Sequence, residues 1–166
     1  MEVSDRLIVF SKGHVDQIGS PAEVYEEPAT EFVARFIGSM NIVEAEVKSG
    51  VARVRDLEFP VPHSEDGRRI RIGFRPYYVK ISEDPAHFRQ RARLRHIYFL
   101  GVAYRLEIET DTGLIFRSRI NKEEFRQRRF EVGQRVSYAI TQFRILPEDR
   151  DERPSSGPPA DGPLTP

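Results

Sequence analysis

The chain of 166 residues has no cysteine, so it can form neither a disulfide framework nor a thiolate metal site. It has no excess charge of either sign, because 26 Lys and Arg balance 26 Asp and Glu. That balance argues against a dedicated nucleic-acid binder. No apolar run approaches the ~20 residues that cross a bilayer, and no signal-peptide pattern is present. The composition therefore predicts a cytoplasmic protein of one ordinary domain with a short appendage, which reaches a membrane only through a partner protein.

Residue patterns that support catalysis or cofactor binding are also missing. The four histidines, His14, His63, His87 and His96, lack metal-ligand spacing to one another or to a carboxylate. No serine or threonine stands in a nucleophile-elbow context, and no glycine-rich loop could cradle phosphates. We therefore expect no cofactor, no metal, no nucleotide-binding residue, no catalytic residue and no ATP binding by this chain.

The first forty residues have the pattern of a hairpin followed by short helices. The apolar run from Leu7 to Phe10 predicts a buried strand, and residues 15–18 predict a weaker second strand after a turn at Gly13. Ser20-Pro21-x-Glu23 combines an N-cap serine, a first-turn proline and an N3 glutamate, which together begin a helix. Pro28 ends that helix.

A second short helix is predicted after Thr30, a good N-cap residue. Phe32, Val33, Phe36 and Ile37 then recur at helical spacing, and Gly38 ends the helix. Exposure of all the apolar side chains of the first forty residues would make a patch of roughly several hundred Å², which monomers rarely tolerate. These side chains must therefore fold back on the β domain or pair with a second copy of the chain. For the second case, our candidate contacts of a homodimer are Phe32, Val33, Phe36 and Ile37.

From Asn41 to Pro147 the pattern changes to short alternating runs separated by turn residues, which predicts an all-β barrel or sandwich. Within it, residues 89–120 fit a three-stranded meander. Its predicted register pairs Arg93 with Glu109, Arg95 with Glu107 and Leu94 with Ile108. Arg117 is predicted on the far side of Glu107, and Phe116 beside Ile108.

That register decides between two readings of the basic run formed by Arg89, Arg91, Arg93, Arg95 and His96. One is a patch for anions or nucleic acid, and the other is a solvated strand face balanced by Glu107 and Glu109. The opposite charges fall where the register needs them, which favours the balanced face. The aromatic residues Tyr98, Tyr104 and Phe116 are predicted on the inner face, which also counts against nucleic-acid binding.

Two ordered sets of motifs resemble a known family. The string from Asp5-Arg6 through Gln17-Ile18-Gly19-Ser20-Pro21 to Phe32-Val33-Ala34-Arg35-Phe36-Ile37-Gly38 resembles the C-terminal edge of the ATP-binding subunit of bacterial ABC importers. Phe74-Arg75-Pro76-Tyr77-Tyr78-Val79-Lys80-Ile81-Ser82, Gly133-Gln134-Arg135-Val136 and Arg144-Ile145-Leu146 resemble the transport-associated OB-type regulatory domain of the same subunits. The form Arg75-Pro76-Tyr77-x-Val79-x-Ile81-Ser82 looks more like sulfate/thiosulfate-type subunits than sugar-type ones.

The resemblance implies a mainly β fold, an OB-like barrel preceded by a short hairpin and two short helices. It divides the chain into a remnant of an ATPase domain (1–40), the OB-type regulatory domain (41–148) and a tail (149–166) whose composition predicts flexibility. The phosphate loop, signature motif and switch histidine of such subunits precede the matched segment. The implied function is therefore non-catalytic regulation and dimerisation, with ATP and membrane permease subunits as partners of the parent protein on the inner face of the cell membrane.

Some members of that family bind oxyanions in this domain, which makes Arg75, Tyr77 and Arg91 candidate contacts for a regulatory anion. The other reading of Arg75 is an anchor for a neighbouring carbonyl or carboxylate. The alternative function for the whole chain is an OB-type module that binds nucleic acid or a small anion without any link to transport. We expect no nucleic acid as a partner.

Overall fold

The computed structural model of the protein describes residues 5–147, and the predicted tail at 149–166 lies outside them. The N-terminal hairpin consists of β1 (Leu7–Ser11) and β2 (His14–Gly19). Lys12 and Gly13 link the strands with φ angles of 49° and 82°, the left-handed region that a two-residue hairpin turn requires. Both strands and the turn are as the sequence predicts.

The prediction that the run Leu7 to Phe10 is buried is wrong for its alternate residues. Val9 is buried, but Ile8 and Phe10 are 53% and 62% exposed. Successive side chains of a strand point to opposite faces, and in this hairpin only the face of Val9 is covered. Val9 packs with Val24 and Val33 in a small cluster of its own.

Two short helices follow, α1 (Pro21–Glu26) and α2 (Glu31–Phe36). The Ser20 hydroxyl accepts a hydrogen bond from the Glu23 amide at 3.2 Å, and the Glu23 carboxylate accepts one from the Ser20 amide at 2.7 Å. These reciprocal bonds are the capping box that the sequence predicts. Thr30 caps α2 by accepting a hydrogen bond from the Val33 amide at 3.2 Å.

The remaining strands form two antiparallel five-stranded sheets, with a third helix, α3 (Lys122–Gln127), after the tenth strand. In chain order these strands are β3 (Asn41–Lys48), β4 (Val51–Val54), β5 (Leu57–Pro60), β6 (Arg69–Phe74), β7 (Val79–Ser82), β8 (Gln90–Phe99), β9 (Ala103–Thr110), β10 (Ile115–Asn121), β11 (Arg135–Ile140) and β12 (Arg144–Leu146). The first sheet has the order β12-β6-β3-β4-β5, and the second has the order β10-β9-β8-β11-β7.

Side chains from both sheets fill one large core. Ile72 and Phe74 of β6 meet Phe116 of β10, and the rings of Phe74 and Phe116 lie edge to face with centroids 5.2 Å apart. The arrangement is mainly β and nearly closed, so the predicted OB-like barrel with an N-terminal hairpin and two short helices is confirmed. Within residues 5–147, no helix is long and apolar enough to span a bilayer.

The predicted register of the meander is confirmed at four pairs and wrong at one. Arg93 faces Glu109, Leu94 faces Ile108, and on β10 Phe116 and Arg117 face Ile108 and Glu107. A β-bulge between Leu94 and His96 places His96, and not Arg95, opposite Glu107. An extra residue in a bulge has no partner position on the opposite strand. The Arg95 guanidinium instead lies 3.7 Å from the Glu109 carboxylate.

The bulge also reverses the faces of the residues that follow it. Tyr98 lies opposite Arg105 on the outer face, which corrects its predicted place on the inner face. The ring of Tyr98 lies beside His96, with centroids 5.9 Å apart, and the Arg105 guanidinium carbon is 4.5 Å from its centroid. Phe116 is buried as predicted.

Candidate functional site

Arg75 is the largest side chain that the barrel buries, with 2% of its surface exposed. It follows β6, and Pro76 begins a short 3-10 turn immediately after it. The guanidinium crosses from the barrel to the N-terminal helices. Nη1 donates to the carbonyl oxygens of Ala34 at 3.3 Å and Gly38 at 3.5 Å, and Nη2 donates to the carbonyl oxygen of Tyr25.

Aromatic and acidic side chains surround that guanidinium. Its central carbon lies 4.0 Å from the centroid of the Tyr25 ring, a cation–π distance. Tyr25 and Tyr77 stack with centroids 6.3 Å apart, and the Tyr77 hydroxyl donates to a Glu26 carboxylate oxygen at 2.7 Å. We call Arg75, Tyr25, Glu26 and Tyr77 the joint, because together they connect α1 to the barrel.

Burial sets the protonation of the joint. It raises the pKa of the Tyr77 phenol, and the hydrogen bond to Glu26 raises that pKa further, so Tyr77 remains a neutral donor. Burial lowers the pKa of Arg75, although the group still carries its charge at neutral pH. The joint therefore holds a desolvated cation against neutral carbonyl oxygens.

A second polar contact joins α2 to the barrel. The Glu31 carboxylate is 3.1 Å from the Arg71 guanidinium of β6 and 2.6 Å from Arg35. Ala34 of α2 also forms a small apolar cluster with Met40 and Leu146. At Gly73 a Cβ would come within 2.7 Å of the Met40 sulfur, so the chain passes too closely there for any larger residue.

Two of the three candidate anion contacts meet at the joint. Arg75 and Tyr77 both contact α1, whereas Arg91 lies on β8 and donates to the carbonyl oxygens of Phe88 and Gln90. The anchor reading of Arg75 describes the carbonyl contacts seen, and the anion contact stays a prediction. Arg144 lines a pocket next to Arg75. Sequence reasoning missed it because β12 meets β6 only through long-range pairing.

The candidate dimer contacts divide between interior and surface. Val33 is completely buried in the cluster with Val9 and Val24, and Phe32 and Ile37 are half-buried. Phe36 is 66% exposed and stacks on Phe32, with centroids 5.5 Å apart. On α2, the surface available to a second copy is therefore centred on Phe36. The dimer itself stays a prediction.

Two further apolar surfaces are exposed. Ile8 pairs with Ile18 and Phe10 with Val15 on the open face of the hairpin, and all four are exposed. In the barrel, the turn between β8 and β9 exposes Phe99, Leu100 and Val102. Sequence patterning could not identify either surface, since it shows which residues share a face but not whether that face is covered.

The family comparison gives one match. Residues 72–142 match the model of the TOBE domain family. The match begins inside β6 and ends before β12, and it includes Arg75 and Tyr77 of the joint.

Whole-sequence comparison extends the similarity beyond that domain. The chain is 35% identical over 157 residues to the sulfate/thiosulfate import ATP-binding protein CysA of Nitrosomonas europaea, covering 89% of this chain and 42% of that protein. It is 32% identical over 147 residues to CysA of Synechococcus elongatus, covering 89% and 40%. The Fe(3+) ions import ATP-binding protein FbpC of Escherichia coli is 34% identical over 108 residues, covering 64% and 31%.

The chain thus spans about two fifths of the length of the CysA relatives that it matches. The resemblance to ATP-binding subunits of bacterial importers is confirmed. Among solved structures, the molybdate-bound form of the cytoplasmic molybdate-binding protein ModG superposes with a TM-score of 0.50 at 11% identity. It covers 64% of this chain and 94% of that one, and at such low identity the likeness concerns the fold alone.

Proposed function

We propose that this chain is the non-catalytic regulatory and dimerisation part of the ATP-binding subunit of an importer for sulfate, thiosulfate or a related oxyanion. The observation that carries the proposal is the extent of the similarity. The CysA relatives match 89% of the chain, which includes the barrel and most of the N-terminal segment. A free-standing binding barrel would have no need for that segment.

The joint supports a regulatory role. A buried arginine that bonds three carbonyls of the N-terminal helices fixes the barrel relative to those helices. In a longer subunit the same contact would transmit a change in one part to the other. Membrane permease subunits, ATP and a location on the inner face of the cell membrane belong to this proposal through the relatives that are import ATP-binding proteins.

No catalysis is assigned to the chain itself. Within residues 5–147 there is no group of three or more His, Asp or Glu side chains placed to hold a metal ion. We expect calorimetry with Mg-ATP to detect no binding at micromolar concentration. Micromolar affinity would contradict the non-catalytic assignment.

The transport assignment is tested with a chimera. In it the matching part of Nitrosomonas europaea CysA is replaced by this chain, and sulfate-dependent growth of a strain that lacks its own subunit is measured. We expect growth with the native sequence and reduced growth with Arg75→Ala, while Arg93→Ala on the exposed barrel face serves as the control. A chimera that folds and hydrolyses ATP but does not support growth on sulfate would contradict the assignment.

Dimerisation has two candidate surfaces, which are separable by mutation. Phe36 is exposed on α2, and Phe99 is exposed at the β8–β9 turn. We expect light scattering to give twice the mass of one chain. Phe36→Asp would dissociate a dimer held by the helices, and Phe99→Asp one held by the barrel. Val132→Asp changes another exposed apolar residue and is the matched control. A wild-type monomer at high micromolar concentration would contradict the dimer.

One observation favours the alternative of nucleic-acid binding. The bulge at Arg95 puts Tyr98 on the outer face beside His96 and Arg105. Proteins that bind single-stranded nucleic acid use such a combination of aromatic and basic residues. The balanced net charge opposes it. We expect fluorescence anisotropy with single-stranded DNA to show only weak binding. A nanomolar complex that weakens with salt would reverse this ranking.

A further inference from the structure

The first sheet has an edge that its last strand covers only in part. β6 runs from Arg69 to Phe74, whereas β12 is short and its pairing ends where Leu146 faces Arg71. Beyond that pair, no strand within residues 5–147 faces Arg69 on the side of β12. The start of β6 is therefore paired on one side alone, with β3, where Glu46 faces Arg69.

The backbone of Arg69 is directed toward this open edge. The carbonyl oxygen of Arg68 accepts a hydrogen bond from the Val47 amide at 3.0 Å, so the backbone groups of Arg68 face β3. In an antiparallel ladder the N–H and C=O of one residue point to the same side, and those of the next residue point to the other side. The N–H and C=O of Arg69 thus face away from β3, and such an edge is a template for a further strand.

An open groove of about 540 Å³ lies along the same edge. Its charged lining consists of three guanidinium groups and two carboxylates, those of Arg68, Arg69, Arg71, Glu44 and Glu65. The rest of the lining is apolar and includes Pro147, the last residue that the structure describes. The groove therefore begins where the described chain ends, and its excess of positive charge suits an acidic strand, because opposite charges stabilise cross-strand pairs.

The sequence that follows Pro147 fits this edge in register and in charge. Continuation of the β12 register by two residues puts Glu148 opposite Arg69. Arg71 lies on the same face of β6 as Arg69, since side chains two positions apart in a strand share a face. Pro147 would face Ile70, whose backbone groups point to β3, so the missing N–H of proline removes no ladder bond there.

We propose that the open edge of β6 is a strand-addition site and that its occupant is this chain's own continuation, with Glu148 opposite Arg69 and Asp149 opposite Arg68. The attachment at Pro147 favours this occupant, because a tethered segment is present at a high effective concentration. A strand from another molecule would bind the edge only by displacing it. This occupancy does not depend on the transport assignment.

Occupation of the edge would also hold β12 against the N-terminal segment. Leu146 lies in the apolar cluster with Ala34 of α2, and Arg71 of β6 pairs with Glu31 of the same helix. Ladder bonds added directly after Leu146 would keep β12 paired with β6. The start of the tail would thus act as a strap on the contact between α2 and the barrel.

The test uses two proline variants of the full chain that differ in whether the proline removes a ladder donor. In the proposed pairing the N–H at position 148 points toward Arg69, so Glu148→Pro should break the pairing. At position 149 the N–H points away, and Asp149→Pro should preserve the pairing. We expect NMR to show about ten-fold faster hydrogen exchange of the Arg69 amide in Glu148→Pro than in the wild type, the factor that corresponds to one hydrogen bond. Asp149→Pro should leave that rate unchanged.

A charge variant tests the contact with the guanidinium groups separately. Glu148→Lys puts a like charge beside Arg69 and Arg71, so exchange of the Arg69 amide should become several-fold faster. Glu152→Lys is the matched control, because it makes the same change of charge outside the proposed pairing. It should leave the exchange rate as in the wild type.

Three results would overturn the proposal. An Arg69 amide that exchanges as fast in the wild type as in Glu148→Pro would mean that the edge is open. Equal acceleration in Glu148→Pro and Asp149→Pro would show that strand pairing is not its cause. Protection of the Arg69 amide that grows with protein concentration would assign the edge to a second copy of the chain.

Discussion

The N-terminal segment, residues 7–37, and the barrel, residues 41–147, are held together by different forces. The barrel buries nineteen apolar and aromatic residues in one cluster. The segment buries Val9, Val24 and Val33 in a cluster of its own and Ala34 in a smaller one. It leaves Ile8, Phe10, Val15 and Ile18 exposed. Apolar burial is the main favourable term in folding, so the barrel has the means to fold alone and the segment does not.

The contrast explains why the contact between the two regions is polar. Arg75 and the Arg71–Glu31 pair connect them. The stacked rings of Tyr25 and Tyr77 and the small cluster of Ala34, Met40 and Leu146 add a limited apolar contact. Hydrogen bonds of this kind depend on geometry, whereas apolar contacts tolerate small shifts. The segment's position is therefore set by orientation-dependent contacts, and its stability should be lower than that of the barrel.

The largest expected effect comes from the barrel core. Phe116 is buried against Phe74 and Tyr138, and Phe116→Ala should cost about 3–5 kcal/mol. Because the segment depends on the barrel, both regions should unfold together in a single transition monitored by circular dichroism.

Val24→Ala is the matched change in the segment. It removes two buried methyl groups, at about 0.8 kcal/mol each before any cavity cost. Hydrogen exchange should rise in β1, α1 and α2 while the barrel keeps its melting temperature. A fall in barrel stability equal to that of Phe116→Ala would mean that the two regions share one cooperative core.

An effect smaller than that of Phe116→Ala is also expected from Arg75→Lys, which keeps the charge but removes the planar guanidinium. Loss of the hydrogen bonds to buried carbonyls should lower the free energy of opening of the segment by about 2 kcal/mol. That change corresponds to about thirty-fold faster hydrogen exchange of the α1 and α2 amides. Mass spectrometry of exchanged peptides measures this directly. Arg93→Lys on the exposed face should change neither region. Unchanged α1 exchange in Arg75→Lys would show that the apolar cluster alone positions the segment.

Local patterns predicted the elements and the caps of this fold. The sequence is sufficient for these features because each depends on residues within a few positions of one another. Examples are the capping box of Ser20 and Glu23, the cap at Thr30 and the alternation in β6. The bulge was not predictable, because the alternation of arginines continues through Arg95 and no glycine marks it. The contacts of Arg75 join residues 41 and 50 positions apart, which no local pattern encodes. The exposure of Phe36 against the burial of Val33 likewise depends on what covers the helix.

One tyrosine in the barrel core and one in the joint differ in the hydrogen bonding of their hydroxyl groups. Tyr138 in the barrel core is buried, and its hydroxyl has no hydrogen-bond partner within residues 5–147. Tyr138→Phe should be neutral or raise stability by up to about 1 kcal/mol. Tyr77→Phe removes the hydroxyl that donates to Glu26 and should cost about 1 kcal/mol. Chemical denaturation of the two variants should therefore give shifts of different sign or size, and equal losses would contradict the assignment of Tyr138.

The smallest expected effect is a pH dependence of α1. Hydrogen bonds from the Ser20 backbone and side chain lower the pKa of Glu23 in the folded state. A lowered pKa means that the capping box contributes stability above the unfolded-state pKa and loses it as pH falls through the folded value. The α1 amides should therefore show a transition in NMR titrations below the ordinary pKa of a glutamate side chain. Glu23→Gln should abolish that transition, and a transition that persists would assign it to another group.

The extra residue at Arg95 has a consequence for comparing this chain with its relatives. It determines which residues of β8 face outward between the bulge and the turn. His96 and Tyr98 face outward, and Ile97 lies opposite Leu106. A sequence alignment that puts a one-residue gap elsewhere in this strand would equate outward residues of one protein with inward residues of another. The placement of a single gap at Arg95 thus decides which side chains count as surface when substitutions in this hairpin are compared across the family.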